Sequence, residues 1–105
     1  MISIRAQAFP FEAVRDLLGV VRALYTSAKA RGAGRRDLAR IERAGVLLRE
    51  ALSLAVQHEP GTLAHGSAWK KAEEAIEMVG TMVDALTPAR PIVEAAAQRV
   101  KSRGN

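Results

Sequence analysis

Both histidines of this 105-residue chain fall in one short stretch, His58-Glu59-Pro60-Gly61-Thr62-Leu63-Ala64-His65, followed by Gly66-Ser67-Ala68 and the single tryptophan, Trp69. Imidazoles beside a carboxylate are the raw material of metal binding and proton transfer. His58-Glu59 opens like the HExxH pattern of zinc proteases, whose two histidines sit one turn apart on a helix face. Thr62 stands where the second histidine must be, and Pro60 would break the helix that aligns the ligands. His58, Glu59 and His65 together offer two nitrogens and one oxygen, with no fourth ligand at a recognisable spacing. Gly61–Ser67, GTLAHGS, approaches a phosphate-binding loop. That loop requires lysine where Ser67 stands, a Ser or Thr after it, and a strand before it; here a helical pattern precedes.

A phosphorelay histidine is exposed within a helix, with lysine and glycine one turn on. His65 abuts Gly66 directly and lies ahead of the helix start expected at Ser67. The stretch therefore reads as a connector. Its histidines are expected at or near the surface and dispensable, its glycines relieve the turn, and Trp69 is the first core residue of the next helix. Glu73, Glu74 and Glu77 in KKAEEAIE raise a second chemistry, an ExxE carboxylate pair holding Mg²⁺. Such sites draw further acids from the next helix, where only Glu94 stands, and Asp84 is about two turns from Glu77. The expectation is a solvated face on which Lys70 pairs with Glu74 at i, i+4.

The densest chemical feature is basic: Lys29, Arg31, Arg35, Arg36, Arg40 and Arg43. Arg36, Arg40 and Arg43 share one helix face. Lys29 and Arg31 come from the end of the preceding helix, across Gly32-Ala33-Gly34. These cations could grip phosphates with a strong salt dependence. Interleaved aromatics for single strands are absent, as is a recognisable recognition helix.

The elements that must position these residues show a single repeated spacing. Phe11, Val14, Leu18, Val21, Tyr25 and Ala28 recur at steps of three and four. Leu38, Ile41, Gly45, Leu48, Leu52 and Ala55 do the same, as do Trp69, Ala72, Ile76, Val79, Val83 and Leu86. Leu17, Leu24, Leu47, Leu54, Ala75 and Met82 widen each seam into the broad stripe a bundle interior needs. Pro10 suits the first turn of helix 1, and Gly32-Ala33-Gly34 ends it. Pro60-Gly61 stops helix 2. Ser67 is the expected N-cap of helix 3, with Thr62 able to start a preceding turn. Thr87-Pro88 reads as N-cap and first residue of helix 4, which carries Val93, Ala96 and Val100 on one face with Ile92 and Ala97 at its margins. Gly45, on the helix 2 seam, calls for close approach of another helix. Residues 2–8 alternate Ile2, Ile4, Ala6 and Ala8 with polar neighbours. That is strand periodicity with no partner in the chain, unless a second copy supplies one.

The predicted fold class is therefore all-α: an up-down helical bundle of three long helices and a short C-terminal fourth, in a single domain over 1–105. Residues 1–9 form an extended N-terminal arm and 102–105 a frayed tail. Twenty alanines and 4% aromatics make this a core of small aliphatics. The absence of cysteine excludes disulfides, thiolate catalysis and Cys-ligated clusters. Neither a signal peptide nor an eighteen-residue apolar run is present, so a cytoplasmic protein with no membrane contact is expected. Net charge is +5, which favours acidic partners. No acid, base, nucleophile and metal set converges, so neither an enzyme nor a cofactor nor a small-molecule substrate is expected. The leading reading is a protein–protein assembly module: a homodimer, or a binder of a partner helical protein. Its rival is a basic accessory protein that binds nucleic acid or another polyanion.

Overall fold

The computed structural model of the chain describes residues 8–84 and 87–101, and the arm over 1–7, the seam position Leu86 and the tail over 102–105 lie outside the described residues. The described residues form four α-helices and no strand: α1 (Phe11–Ala30), α2 (Arg35–Gln57), α3 (Leu63–Gly80) and α4 (Arg90–Lys101). The helices pack as a closed ring, α1 on α2 and α4, α3 on α2 and α4, with the α2–α3 interface the most extensive. Cross-links between α2 and α3 fix an antiparallel register. Arg40 Nη2 donates to Thr81 Oγ1 at 3.4 Å, Arg43 lies 3.9 Å from Glu74, and Lys71 Nζ donates to Glu50 Oε1 at 3.1 Å. Residue numbers rise along one helix as they fall along the other, which is the up-down bundle expected from the three seams.

The core is that of the seams. Leu18, Val21, Ile41, Leu48, Ile76, Val79 and Val83 are buried in one cluster, joined by Leu17, Leu47, Ala44, Ala51 and Ala75 from the seam margins. On α4, Val93, Ala96 and Val100 are buried, so the short helix closes its side of the ring. The alanines at Ala44, Ala51, Ala72 and Ala75 are wholly excluded from solvent. They let helix backbones approach closely in a protein with few aromatics to fill space.

The helix ends follow local chemistry. α1 closes in a Schellman motif: Gly32, at φ +79°, donates its N–H to the Lys29 carbonyl at 3.1 Å, and Ala33 donates to the Ala28 carbonyl at 2.9 Å. Gly61, at φ +93°, turns the chain after Pro60. Pro10 stands one position before α1, its carbonyl accepting from the Val14 N–H at 3.0 Å. Helix 4 begins later than Thr87-Pro88 implied. Those residues form a preceding turn, in which Arg90 N–H donates to the Thr87 carbonyl at 2.9 Å, and Pro91 occupies the opening turn of α4.

The start of α3 is corrected as well: it lies five residues earlier than a Ser67 cap would allow. Thr62, extended at ψ 160°, accepts the His65 backbone N–H on Oγ1 at 3.1 Å and itself donates to the Glu59 carbonyl at 2.8 Å. Thr62 is therefore the N-cap, and Ser67 is an exposed residue inside the helix. Phe9, the last residue of the expected arm, is set into the core. Phe9 is 4% exposed and meets Trp69 edge-on at 5.3 Å between ring centroids and Phe11 at 5.2 Å. An aromatic ring of this size is driven into the core and anchors the chain just ahead of α1.

Candidate functional site

The earlier start of α3 changes the histidine stretch. His58 is exposed just past the end of α2, whereas His65 lies in the first turn of α3, 3% exposed, with Phe9 edge-on at 6.1 Å. The expected surface position of His65 is therefore wrong: once Thr62 caps the helix, residue 65 falls on its inward face, one turn ahead of Trp69. The two histidines have separate environments, and among the described residues no three His, Asp or Glu side chains come together as a metal site. The connector reading therefore holds for His58 and fails for His65, which is a core residue of α3.

The glutamates of α3 divide differently from the expected i, i+4 pattern. Glu74 faces Arg43 and Lys71 faces Glu50, so the ion pairs join α2 to α3 across the bundle instead of running along α3, and Lys70 is exposed. Cross-helix pairing wins because α2 and α3 pack closely enough for their flanking charges to meet, although exposed pairs of this kind contribute little to stability.

Lys29, Arg31, Arg35, Arg36 and Arg40 gather at the end of the bundle where α1 turns into α2. All are exposed. Lys29 lies 6.0 Å from the Tyr25 ring, and Arg31 Nη1 donates to Ser27 Oγ at 3.1 Å. Arg40 is tied to Thr81 at the end of α3. Arg43, one turn further along α2, is drawn to Glu74 and is the one of the six that reaches a carboxylate among the described residues. α2 opens from Gly34 with no side chain capping its first amides, so the helix N-terminus adds its own positive end to the cluster.

A second feature carries no chemistry and was not singled out by the sequence pattern. Between α1 and the start of α4 runs an open groove of about 680 Å³, lined by Gly19, Val20, Ala23 and Leu24 on one side and by Pro88, Ala89 and Ile92 on the other. Ile92 is 39% exposed at its rim. Arg15 and Asp16 sit side by side at one end, and neither forms an ion pair among the described residues. The available signal was Gly19 and Ala23, four apart on the face of α1 that the hydrophobic seam leaves outside.

Sequence reasoning also missed Arg90. Its Nη1 donates to the carbonyls of Val83 at 3.0 Å and Gly80 at 3.2 Å, and its Nε to Glu94 Oε2 at 3.3 Å. Nothing in the local pattern marks an arginine that caps a different helix.

No helix of the described residues is long and apolar enough to cross a membrane. No protein-family model matches the chain, and neither a curated protein nor a solved structure shows detectable similarity to it.

Proposed function

We propose that the chain is a small, non-enzymatic assembly module that associates with a second copy of itself through the outer face of α1 beside α4. The observation that supports this reading is the α1–α4 groove. Its walls are apolar, and Gly19 and Ala23 keep the α1 side low enough for another helix to approach closely. Single exposed apolar side chains such as Val56 and Leu63 are ordinary on a protein surface; a contiguous apolar groove is a surface suited to a partner.

A second copy is the occupant favoured by charge. Arg15 and Asp16 line the same end of the groove. Across a two-fold axis, Arg15 of one copy meets Asp16 of the other and the reverse pair forms with it, the self-complementarity a symmetric interface demands. The absence of cysteine fits assembly in a reducing, cytoplasmic setting without disulfide support.

The test is surface-directed mutation read by sedimentation. Ala23→Glu places a carboxylate in the groove at an already exposed position, and it should convert a dimer to a folded monomer whose melting temperature no longer depends on protein concentration. Val56→Glu, on another exposed apolar residue, should leave the dimer intact. Dissociation by Val56→Glu with Ala23→Glu silent would move the interface elsewhere. A native chain that is already monomeric would remove the reading.

A further inference from the structure

The basic end of the bundle is a feature that self-association does not use. We propose that Lys29, Arg31, Arg35, Arg36 and Arg40 form a binding surface for the phosphate backbone of duplex nucleic acid, read without regard to sequence. This proposal is independent of the assembly reading; the two surfaces adjoin where Arg31 bonds Ser27, a residue that lines the groove.

Three observations favour a polyphosphate over the other anionic partners. First, the cations form no ion pair among the described residues, and the single carboxylate of the α2 first turn, Asp37, leaves the cluster strongly positive. None of these five reaches a carboxylate within 4.0 Å among the described residues, whereas the neighbouring Arg43 is tied to Glu74, and Arg90 elsewhere to Glu94. Clustered like charges repel one another and lower stability until a counter-charge arrives. Second, the cluster is held in place. The Schellman turn at Gly32 fixes the chain between Arg31 and Arg35, Ser27 Oγ holds Arg31, and Thr81 Oγ1 holds Arg40. Arg36 and Arg40 lie four apart on one face of α2, and the uncapped amides that open α2 lie between the two groups of cations. Third, the surroundings argue against the alternatives. A lipid surface calls for exposed apolar side chains beside the charges, and the large exposed hydrophobics of the described residues, Val56, Leu63 and Ile92, are not among the residues of this cluster. A single strand calls for aromatic platforms on which bases stack, and the one aromatic nearby, Tyr25, is half-buried with Lys29 over its ring. A duplex backbone needs neither, since it presents a dense and regular row of phosphates to guanidinium groups.

The test is fluorescence anisotropy of a labelled duplex DNA oligonucleotide, titrated with the whole chain over a series of salt concentrations. The native protein should bind at low salt, with an affinity that falls steeply and log-linearly as salt rises. The variant carrying Arg31→Gln, Arg35→Gln and Arg36→Gln should bind every duplex sequence more weakly. Its salt slope should be smaller by about three, which is about one for each phosphate no longer neutralised. A control of equal charge, Arg22→Gln with Arg49→Gln and Lys70→Gln, changes exposed side chains outside the cluster and should keep the native slope. Equal weakening in the two triple variants would show a response to net charge alone and overturn the site. No binding by the native chain at low salt would overturn it too, as would tighter binding to single strands or to phosphatidylserine vesicles than to duplex. Sedimentation separates this result from assembly: Arg31 bonds Ser27, which lines the α1–α4 groove, so the double variant Arg35→Gln with Arg36→Gln, neither of which lines the groove, should weaken duplex binding while the mass stays that of the native chain.

Discussion

The Arg90 guanidinium donates to the Val83 carbonyl at 3.0 Å, reaching back from the first residue of α4 to the segment just past the end of α3. With its second bond to the Gly80 carbonyl at 3.2 Å, it satisfies backbone acceptors that the end of α3 leaves open. The same side chain pairs with Glu94 on its own helix. One residue thus ties the end of α3 to the first turn of α4.

Replacing Arg90 with Met keeps the aliphatic stem and removes the donors. Unfolding in urea should show a loss of about 1.5–3 kcal/mol, the range for hydrogen bonds to charged groups. Arg90→Lys should recover part of this, because one ammonium cannot reproduce the planar fork. An Arg90→Met midpoint equal to that of the native chain would mean the connection is held by packing alone.

The two histidines should respond differently. His58→Gln changes an exposed residue and should shift stability by less than about 0.5 kcal/mol. His65→Gln removes a buried ring that packs edge-on against Phe9 and leaves an amide in an apolar site, for a loss of about 1–3 kcal/mol. The change at both positions should match His65→Gln alone. Thermal melts of the three variants decide this, and equal, negligible effects would return His65 to the surface.

Gly45 meets α1 from within the chain. A methyl group built there would lie 3.4 Å from Val21 Cγ1 and 3.7 Å from Arg49 Nη1, ordinary contact distances. Gly45→Ala should therefore stabilise the protein, by up to about 1 kcal/mol from helix propensity. Gly45→Leu should destabilise it by forcing α1 and α2 apart. A destabilised Gly45→Ala variant, measured by denaturant unfolding, would show that α1 sits closer than these distances allow.

The seams were legible because a buried stripe leaves a long periodic trace: Leu18, Ile41, Leu48 and Val79 each repeat a spacing that no loop sustains. Short signals were less secure. Thr62 and Ser67 are both good N-cap residues, and the choice turns on a single bond from the His65 amide that sequence does not encode. That one choice moved His65 from surface to core. Phe9 was grouped with the arm by its proximity to the alternating residues, but its partners, Trp69 and His65, are about sixty residues away in sequence. The grouping of Lys29, Arg31, Arg35, Arg36 and Arg40 was visible, since charges close in sequence across a short turn are close in space, whereas the pairing of Arg43 with Glu74 across the α2–α3 interface was not. The α1–α4 groove was not, because its walls come from helices at opposite ends of the chain. Arg90 escaped for a different reason: its acceptors are the backbone carbonyls of Gly80 and Val83, which no residue type marks.

Self-association through α1 is tested most directly by the solution mass of the native chain at high micromolar concentration, by sedimentation equilibrium. One chain weighs 11.3 kDa. A two-fold interface over the α1–α4 groove predicts a mass near twice that value, falling toward one chain on dilution and in Ala23→Glu. A mass of a single chain throughout the concentration range would contradict it, and would mean that the groove stays open to solvent.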